Sequence, residues 1–278
     1  MPVLPNFVEF AVVFVLGLVL GSFATALVYR VPRGISWFWK TRNTKEAELE
    51  ADGVAETLRS ACPSCGHILG VADLVPFFSW LFQRGRCRYC KASIPLQYPL
   101  IELTVLVGCI GIYAVYGFTP VAWILFGMIP FLAALLFIDW SYKILPDSLV
   151  LAVCLTGIAA YMAQIVPAEG LKAWALVLVT QAVPAAFLYG ATAWLMGFVM
   201  TKFLGKAALG FGDVKFFAVS GLWLGWESLG VFCALSGFLG LVFALLWRRF
   251  KNEQYFPFGP ALIAAFYILL LLPGSLLG

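Results

Sequence analysis

The chain has 278 residues, of which 63% are apolar, 16% aromatic and 12% charged, whereas an average soluble domain carries roughly a quarter charged residues. Eighteen Lys and Arg with 14 Asp and Glu cannot dress a water-facing surface of this size, so an ordinary soluble enzyme is excluded and most of the surface must face lipid. The net charge of +4 matters less than where the charges fall, and seven unevenly spaced cysteines exclude a disulfide-stapled secreted scaffold.

Crossing a hydrocarbon core takes roughly 20 helical residues. Eight apolar segments reach or approach that length: Phe7–Tyr29, Tyr98–Tyr116, Val121–Ile138, Ser148–Val166, Ala173–Met200, Phe216–Trp226, Leu229–Trp247 and Phe256–Leu272. The first contains Ala24-Thr25-Ala26, a small-residue pattern of the kind cleaved from secretory signals. Its positive charges, Arg30 and Arg33, follow the apolar stretch instead of preceding it, so it is expected to stay as a membrane span.

Residues 30–97 form the segment able to make a soluble domain. Arg33–Ala61 is a mixed-charge tether in which Lys45–Leu58 suggests a short surface helix interrupted by Gly53. Cys62-Pro-Ser-Cys65 then precedes Cys87-Arg-Tyr-Cys90 by 21 residues. Two residues between paired cysteines let both thiolates of a tight knuckle face one ion, and two knuckles complete the tetrahedral sulfur cage that Zn²⁺ favours. The competing reading is two disulfides. Four protein ligands leave no open position, so such a zinc is expected to be structural. His67 is the one histidine in the chain; it is expected beside the cage, and its solitude excludes a Ser-His or Cys-His nucleophile pair elsewhere. Cys109, Cys154 and Cys233 lie inside spans and read as small hydrophobes. No phosphate loop or GxGxxG fingerprint occurs, and no nucleic-acid partner is expected.

Charge in hydrocarbon is costly, so ionisable residues at span ends are functional candidates. Glu9 and Glu227 fall at outer ends and are expected to be solvated, while Glu102 lies one turn inside the second span. Asp139 closes the third span, and Asp213 follows Gly210-Phe211-Gly212 just before the sixth. Asp147, after Pro146, is expected to cap the fourth helix. Lys143 between them either snorkels or holds a carboxylate ionised. The sixth segment would rise only about 16 Å as a helix, so it must recruit neighbouring residues, tilt or re-enter.

With the amino terminus outside, every Lys and Arg except Lys172 falls in an inner loop. The 30–97 loop is then cytoplasmic, where thiols stay reduced, which favours zinc over disulfides. Asp139 and Asp213 then share the cytoplasmic membrane boundary. Two carboxylates meeting in a partly desolvated site share a proton. One takes a proton from water attacking a peptide carbonyl; the other polarises that carbonyl and supplies the leaving amine. Gly210 and Gly212 let a substrate backbone pass close to Asp213. Alone, Gly-x-Gly-Asp is a weak signal whose plain reading is an aspartate capping a helix start.

Taken together, the residues resemble the type IV prepilin peptidases, polytopic aspartic proteases of the bacterial inner membrane. The resemblance runs through Gly21-Ser22-Phe23, Arg30-Val31-Pro32, Ser79-Trp80-Leu81 and Gly85-Arg86-Cys87 between the cysteine pairs, and Tyr98-Pro99-Leu100-Ile101-Glu102. It continues through Ile138-Asp139 with Leu145-Pro146-Asp147, Gly210-Phe211-Gly212-Asp213-Val214-Lys215 and Pro257-Phe258-Gly259-Pro260. It implies that Asp139 and Asp213 are the catalytic pair, that Gly210, Gly212 and Lys215 belong to the active-site loop, and that Cys62, Cys65, Cys87 and Cys90 hold zinc. It also implies removal of the short basic leader from type IV prepilins, or from pseudopilins of type II secretion systems, on the cytoplasmic side. Methylation of the new amino terminus from S-adenosylmethionine rests on the resemblance alone, with no cofactor-binding fingerprint in the residues. Thr25 stands where relatives commonly carry asparagine and so lacks its amide.

The expectation is an all-α polytopic membrane protein of the bacterial inner membrane, surrounded by lipid and of open oligomeric state. A first transmembrane helix occupies 1–29, a cytoplasmic tetracysteine domain 30–97, and a peptidase domain of about seven helices 98–278. Two other functions would use the same features: a proton-coupled transporter with the aspartates as relay, and a membrane scaffold whose zinc ribbon recruits a partner.

Overall fold

The computed structural model describes residues 6–34, 62, 64–70, 73, 75–205, 209–251 and 256–272. The tether over 35–61, including the helix expected at 45–58, lies outside the described residues. Among those described there is no strand, and the helices are α1 Phe7–Arg30, α2 Phe78–Phe82, α3 Gln97–Tyr116, α4 Pro120–Tyr142, α5 Asp147–Glu169, α6 Leu171–Val177, α7 Val183–Leu204, α8 Phe211–Leu224, α9 Leu229–Lys251 and α10 Gly259–Leu271.

All eight apolar segments are helices. The fifth is α6 and α7 joined through Leu178–Ala182, where the coil widens to i→i+5 bonding just ahead of Pro184, a residue with no N–H to give. Six helical stretches are long and apolar enough to cross a membrane. The exceptions are α8 with 14 residues and α10 with 13, each rising only about 20 Å against a hydrocarbon thickness of about 30 Å. The sixth segment gains length by starting at Phe211, so the Gly-Phe-Gly-Asp residues become its first turn.

Small residues set the helix spacing. On α1, a Cβ at Gly21 would lie 2.9 Å from Glu102 Cα, and one at Gly17 3.1 Å from Leu106 Cα, so α1 and α3 touch backbone to backbone. The centre of the bundle is α4, with Leu132, Ala133, Ala134, Leu135 and Ile138 all buried. Against it and against α8 packs α10, whose Phe266 meets Phe216 and Trp223 edge-on at 5.8 and 6.1 Å. On the far side of α8 the Trp223 indole donates to the Val153 carbonyl of α5 at 3.0 Å, and Tyr161 of α5 donates to the Leu222 carbonyl at 2.9 Å. The two short helices are thus held inside a ring of longer ones, the setting in which helix ends at membrane depth are tolerated. Large apolar side chains point outward along α1 and α7, among them Val15, Val19, Phe187 and Phe203. Glu9, expected to be solvated, accepts the Tyr113 hydroxyl at 2.7 Å, whereas Glu227 is exposed as expected.

Candidate functional site

Asp139 occupies the last turn of α4 and is only 5% exposed. Its Oδ2 accepts the N–H of Gly259, the first residue of α10, at 2.8 Å. Asp213 is not the N-cap of α8 but the third residue of its first turn, and its Oδ2 reaches back to accept the N–H of Gly210 at 3.1 Å, the one half of a capping box that a glycine at the N-cap allows. The two carboxylates lie near enough to interact electrostatically. Each is therefore fixed through one oxygen by a glycine amide.

The segment that follows Asp139 packs closely against the turn that carries Asp213. Buried Leu145, in the α4–α5 link, rests on Gly212, whose Cβ would stand 3.0 Å from that of Leu145. Lys143 takes a left-handed conformation (φ 57°) that ends α4 and turns the chain toward this contact. Farther out, Lys215 Nζ meets Asp147 Oδ1 at 2.6 Å and lies 4.9 Å over the Phe211 ring. Asp147 opens α5 with 74% of its side chain exposed, and its carboxylate takes this ammonium instead of capping the helix. Asp139, Asp213, Gly210, Gly212 and Lys215, the candidates read from the sequence, thus fall in one neighbourhood. What residue-by-residue reading missed is the Gly259 amide; its trace in the sequence is a glycine between Phe258 and Pro260, opening a helix far from either aspartate.

The four paired cysteines converge. All four sulfurs lie within 4.8 Å of one another, and Cys62 Sγ is 3.8 Å from Cys90 Sγ. A tetrahedron with Zn–S bonds of about 2.3 Å has an edge of about 3.8 Å, and a disulfide would need about 2.05 Å; the cysteines are unbridged. The two knuckles are built alike. Cys62 N–H donates to His67 O and Gly66 N–H to Cys62 O at 3.0 and 2.9 Å; Cys87 N–H donates to Ala92 O and Lys91 N–H to Cys87 O at 2.8 and 3.0 Å. Gly66 and Lys91 both turn left-handed, at φ 68° and 62°.

Burial acts to raise the Cys62 thiol, but the N–H groups of Ser64 and Cys65 and the sulfurs of Cys87 and Cys65 outweigh it and bring it down to about 7. The Ala92 N–H lowers Cys90, yet desolvation and the other three sulfurs push it up to about 11. Four sulfurs in this crowd can ionise together only around a cation, so the donor set fits a divalent metal. His67 stands beside the cage with its ring 3.6 Å from that of Tyr89. The loop is anchored to the membrane bundle where Glu102 Oε2 accepts the Phe77 N–H at 2.6 Å.

The chain is similar to known proteins along most of its length. Residues 15–116 match the bacterial peptidase A24 N-terminal domain, and residues 126–245 match the type IV leader peptidase family. A prepilin leader peptidase/N-methyltransferase of Burkholderia pseudomallei (strain K96243) is 34% identical over 94% of this chain and 84% of its own length. Proteins of the same name from Pectobacterium carotovorum subsp. carotovorum and Pseudomonas aeruginosa are each 32% identical, over 88% and 98% of this chain and 85% and 94% of their own lengths. No solved structure matches the chain with significance.

Proposed function

Because the chain belongs to the type IV leader peptidase family, we propose that it cleaves the leader from prepilins or pseudopilins with Asp139 and Asp213 as its catalytic pair and then methylates the new amino terminus. The observation that carries the reading is two carboxylates from distant parts of the sequence, on two helices that both pack against α10, each oriented by a glycine amide. Carboxylates so placed hold one proton between them. The ionised member draws a proton from a water attacking the scissile carbonyl. The protonated member hydrogen-bonds the carbonyl oxygen and, as the tetrahedral intermediate collapses, passes its proton to the leaving amine. Neither metal nor histidine takes part in this cycle.

The substrate's apolar amino-terminal helix enters from lipid, and its leader stays at the cytoplasmic face of the inner membrane, a side for the tetracysteine loop and both aspartates that the distribution of Lys and Arg supports. Cys62, Cys65, Cys87 and Cys90 hold zinc, which orders the loop and has no ligand position left for substrate. S-adenosylmethionine supplies an electrophilic methyl group on a sulfonium. Family membership favours neither the transporter nor the scaffold reading.

The test incubates purified full-length protein in detergent with a leader-bearing prepilin and S-adenosylmethionine, and reads the product amino terminus by mass spectrometry. Asp139→Asn and Asp213→Asn are each expected to slow leader removal by about 10²–10⁴-fold while the protein remains inserted. The rate of the parent enzyme against pH should be bell-shaped, its two limbs belonging to the pair. Cleavage that survives Asp139→Asn but is lost in Asp147→Asn would assign the first catalytic position to the wrong aspartate.

A further inference from the structure

At the exit of α1 a cleft of about 160 Å³ opens between the end of α1, the start of α3 and the end of α4; it is lined in part by Tyr29, Arg33, Gln97, Tyr98 and Tyr142, and no acidic side chain among the described residues lines it. We propose that this cleft holds the methionine end of S-adenosylmethionine, with Arg33 on its carboxylate and the tyrosines around its sulfonium. The inference rests on the methyl-transfer part of the function proposed above.

Three observations carry it. Arg33 is already ordered: its guanidinium carbon lies 4.0 Å from the centroid of the Tyr29 ring, and Nη1 donates to the Tyr29 carbonyl at 2.6 Å. A guanidinium has five N–H donors in a planar fork that matches a carboxylate, so one committed donor leaves the fork able to take an anion. Next, Tyr29, Tyr98, Tyr142 and Arg33 all line the cleft, which places three phenols and one cation around a common space. Aromatic faces and phenol oxygens attract a positively charged centre, while the ligand's own carboxylate separates its sulfonium from Arg33. The third is position. Tyr142 follows Asp139 by less than one turn on α4, about 4.5 Å along the axis, so an amino terminus released at the aspartates is delivered beside the cleft. Gln97 Nε2 donates to Ser141 Oγ at 3.1 Å and clamps the start of α3 to the end of α4 across the cleft floor. The volume accommodates the amino-acid end of the donor and not the whole nucleoside, which projects outward.

The chemistry balances within this arrangement. The free amine of the cleaved product attacks the sulfonium methyl carbon, a C–N bond forms as the C–S bond breaks, sulfur keeps the bonding electron pair and leaves as a neutral thioether, and the resulting ammonium gives its proton to water.

The experiment measures S-adenosylmethionine binding to purified full-length protein in detergent by calorimetry, and maps the peptide that takes up radiolabelled donor on ultraviolet irradiation. Arg33→Gln is expected to weaken binding about tenfold or more, the loss of a charge-assisted bond. Arg33→Lys should recover part of it and Tyr98→Phe should weaken it. Label is expected within 24–33, 95–101 or 138–142 of the unsubstituted protein, a readout that depends on no variant folding. Label in other peptides, or unchanged binding in both Arg33→Gln and Tyr98→Phe, overturns the site alone. Leader removal without any donor binding by the parent protein overturns the site and the methyl-transfer reading while leaving the peptidase standing.

Discussion

The carboxylate of Asp139 is set by an atom that no side-chain inventory contains, the backbone N–H of Gly259. A Cβ at Gly259 would fall 2.6 Å from Asp139 Oδ2 and 2.8 Å from its Cγ, so this position has no room for any side chain. Gly259→Ala must therefore push the carboxylate off its donor, and we expect kcat for leader removal to fall about 10²-fold, as for other displacements of a reacting group, with KM little changed and the purified protein still helical. An unchanged kcat would show that Asp139 needs no such support. Asp213 was more legible than Asp139. Its amide donor lies three residues away in the same turn, so Gly-Phe-Gly-Asp announces both the helix start and the carboxylate that closes it. The donor to Asp139 comes from 120 residues away in sequence, and only folding reveals it. Asp147 shows the opposite failure: a residue after proline at a helix start reads as a cap, but Lys215 arrives from α8 and takes the carboxylate.

At the scale of elements, hydropathy located a helix at each of the eight apolar segments, because a backbone in lipid must satisfy its own hydrogen bonds and so must be helical. It did not place their ends. The start of α8 extends beyond its apolar run into a glycine-rich turn, and α10 is shorter than the apolar stretch around it. The tetracysteine loop was legible in its ligands because knuckle geometry is local, each cysteine pair closing its own turn through backbone bonds to Gly66 or Lys91. Its mooring through the Phe77 N–H to Glu102 was not. Two routes should release the metal. Cys62→Ser or Cys87→Ser should reduce bound zinc from one per chain to a small fraction, measured by elemental analysis. Acidification should do the same, because ligand thiolates must be protonated before they let go, so affinity rises with pH and release grows as pH falls below the neutral range. In both cases limited proteolysis should cut within 62–94 while the membrane helices stay intact. Full metal retention in the cysteine variants would remove the cage from the account.

For the molecule as a whole, α10 is the keystone. It touches α4, which carries Asp139, and α8, which carries Asp213, so the separation of the two carboxylates depends on how α10 packs. The helices around it approach closely at glycines, and two of these offer a comparison. A Cβ at Gly221 of α8 would lie 2.6 Å from the Ala185 carbonyl oxygen and 2.7 Å from the Tyr189 ring, while one at Gly230 of α9 would meet nothing within 4 Å. Gly221→Ala is expected to destabilise the protein by about 1–3 kcal/mol through overpacking and to lower its thermal midpoint in detergent. Gly230→Ala should be neutral or slightly stabilising, because it relieves a flexible residue within a helix. Equal midpoints would mean that α7 and α8 can slide apart without cost. Such contacts are invisible in the sequence, where the 26 glycines look alike.

The sulfur cage also acts as a compass for the entire chain. Its corners stand a short movement away from covalent S–S bonds, so oxidation would weld the knuckles into the wrong shape and leave no thiolate to hold a metal; the cage endures only where reducing chemistry is maintained. If each of the eight apolar segments makes one passage, an even number of passages separates the cage from the end of α4 and from the starts of α8 and α10. An orientation that puts the thiols on the reducing side, as proposed above, puts the scissile bond of the substrate there too, without a single further residue being consulted.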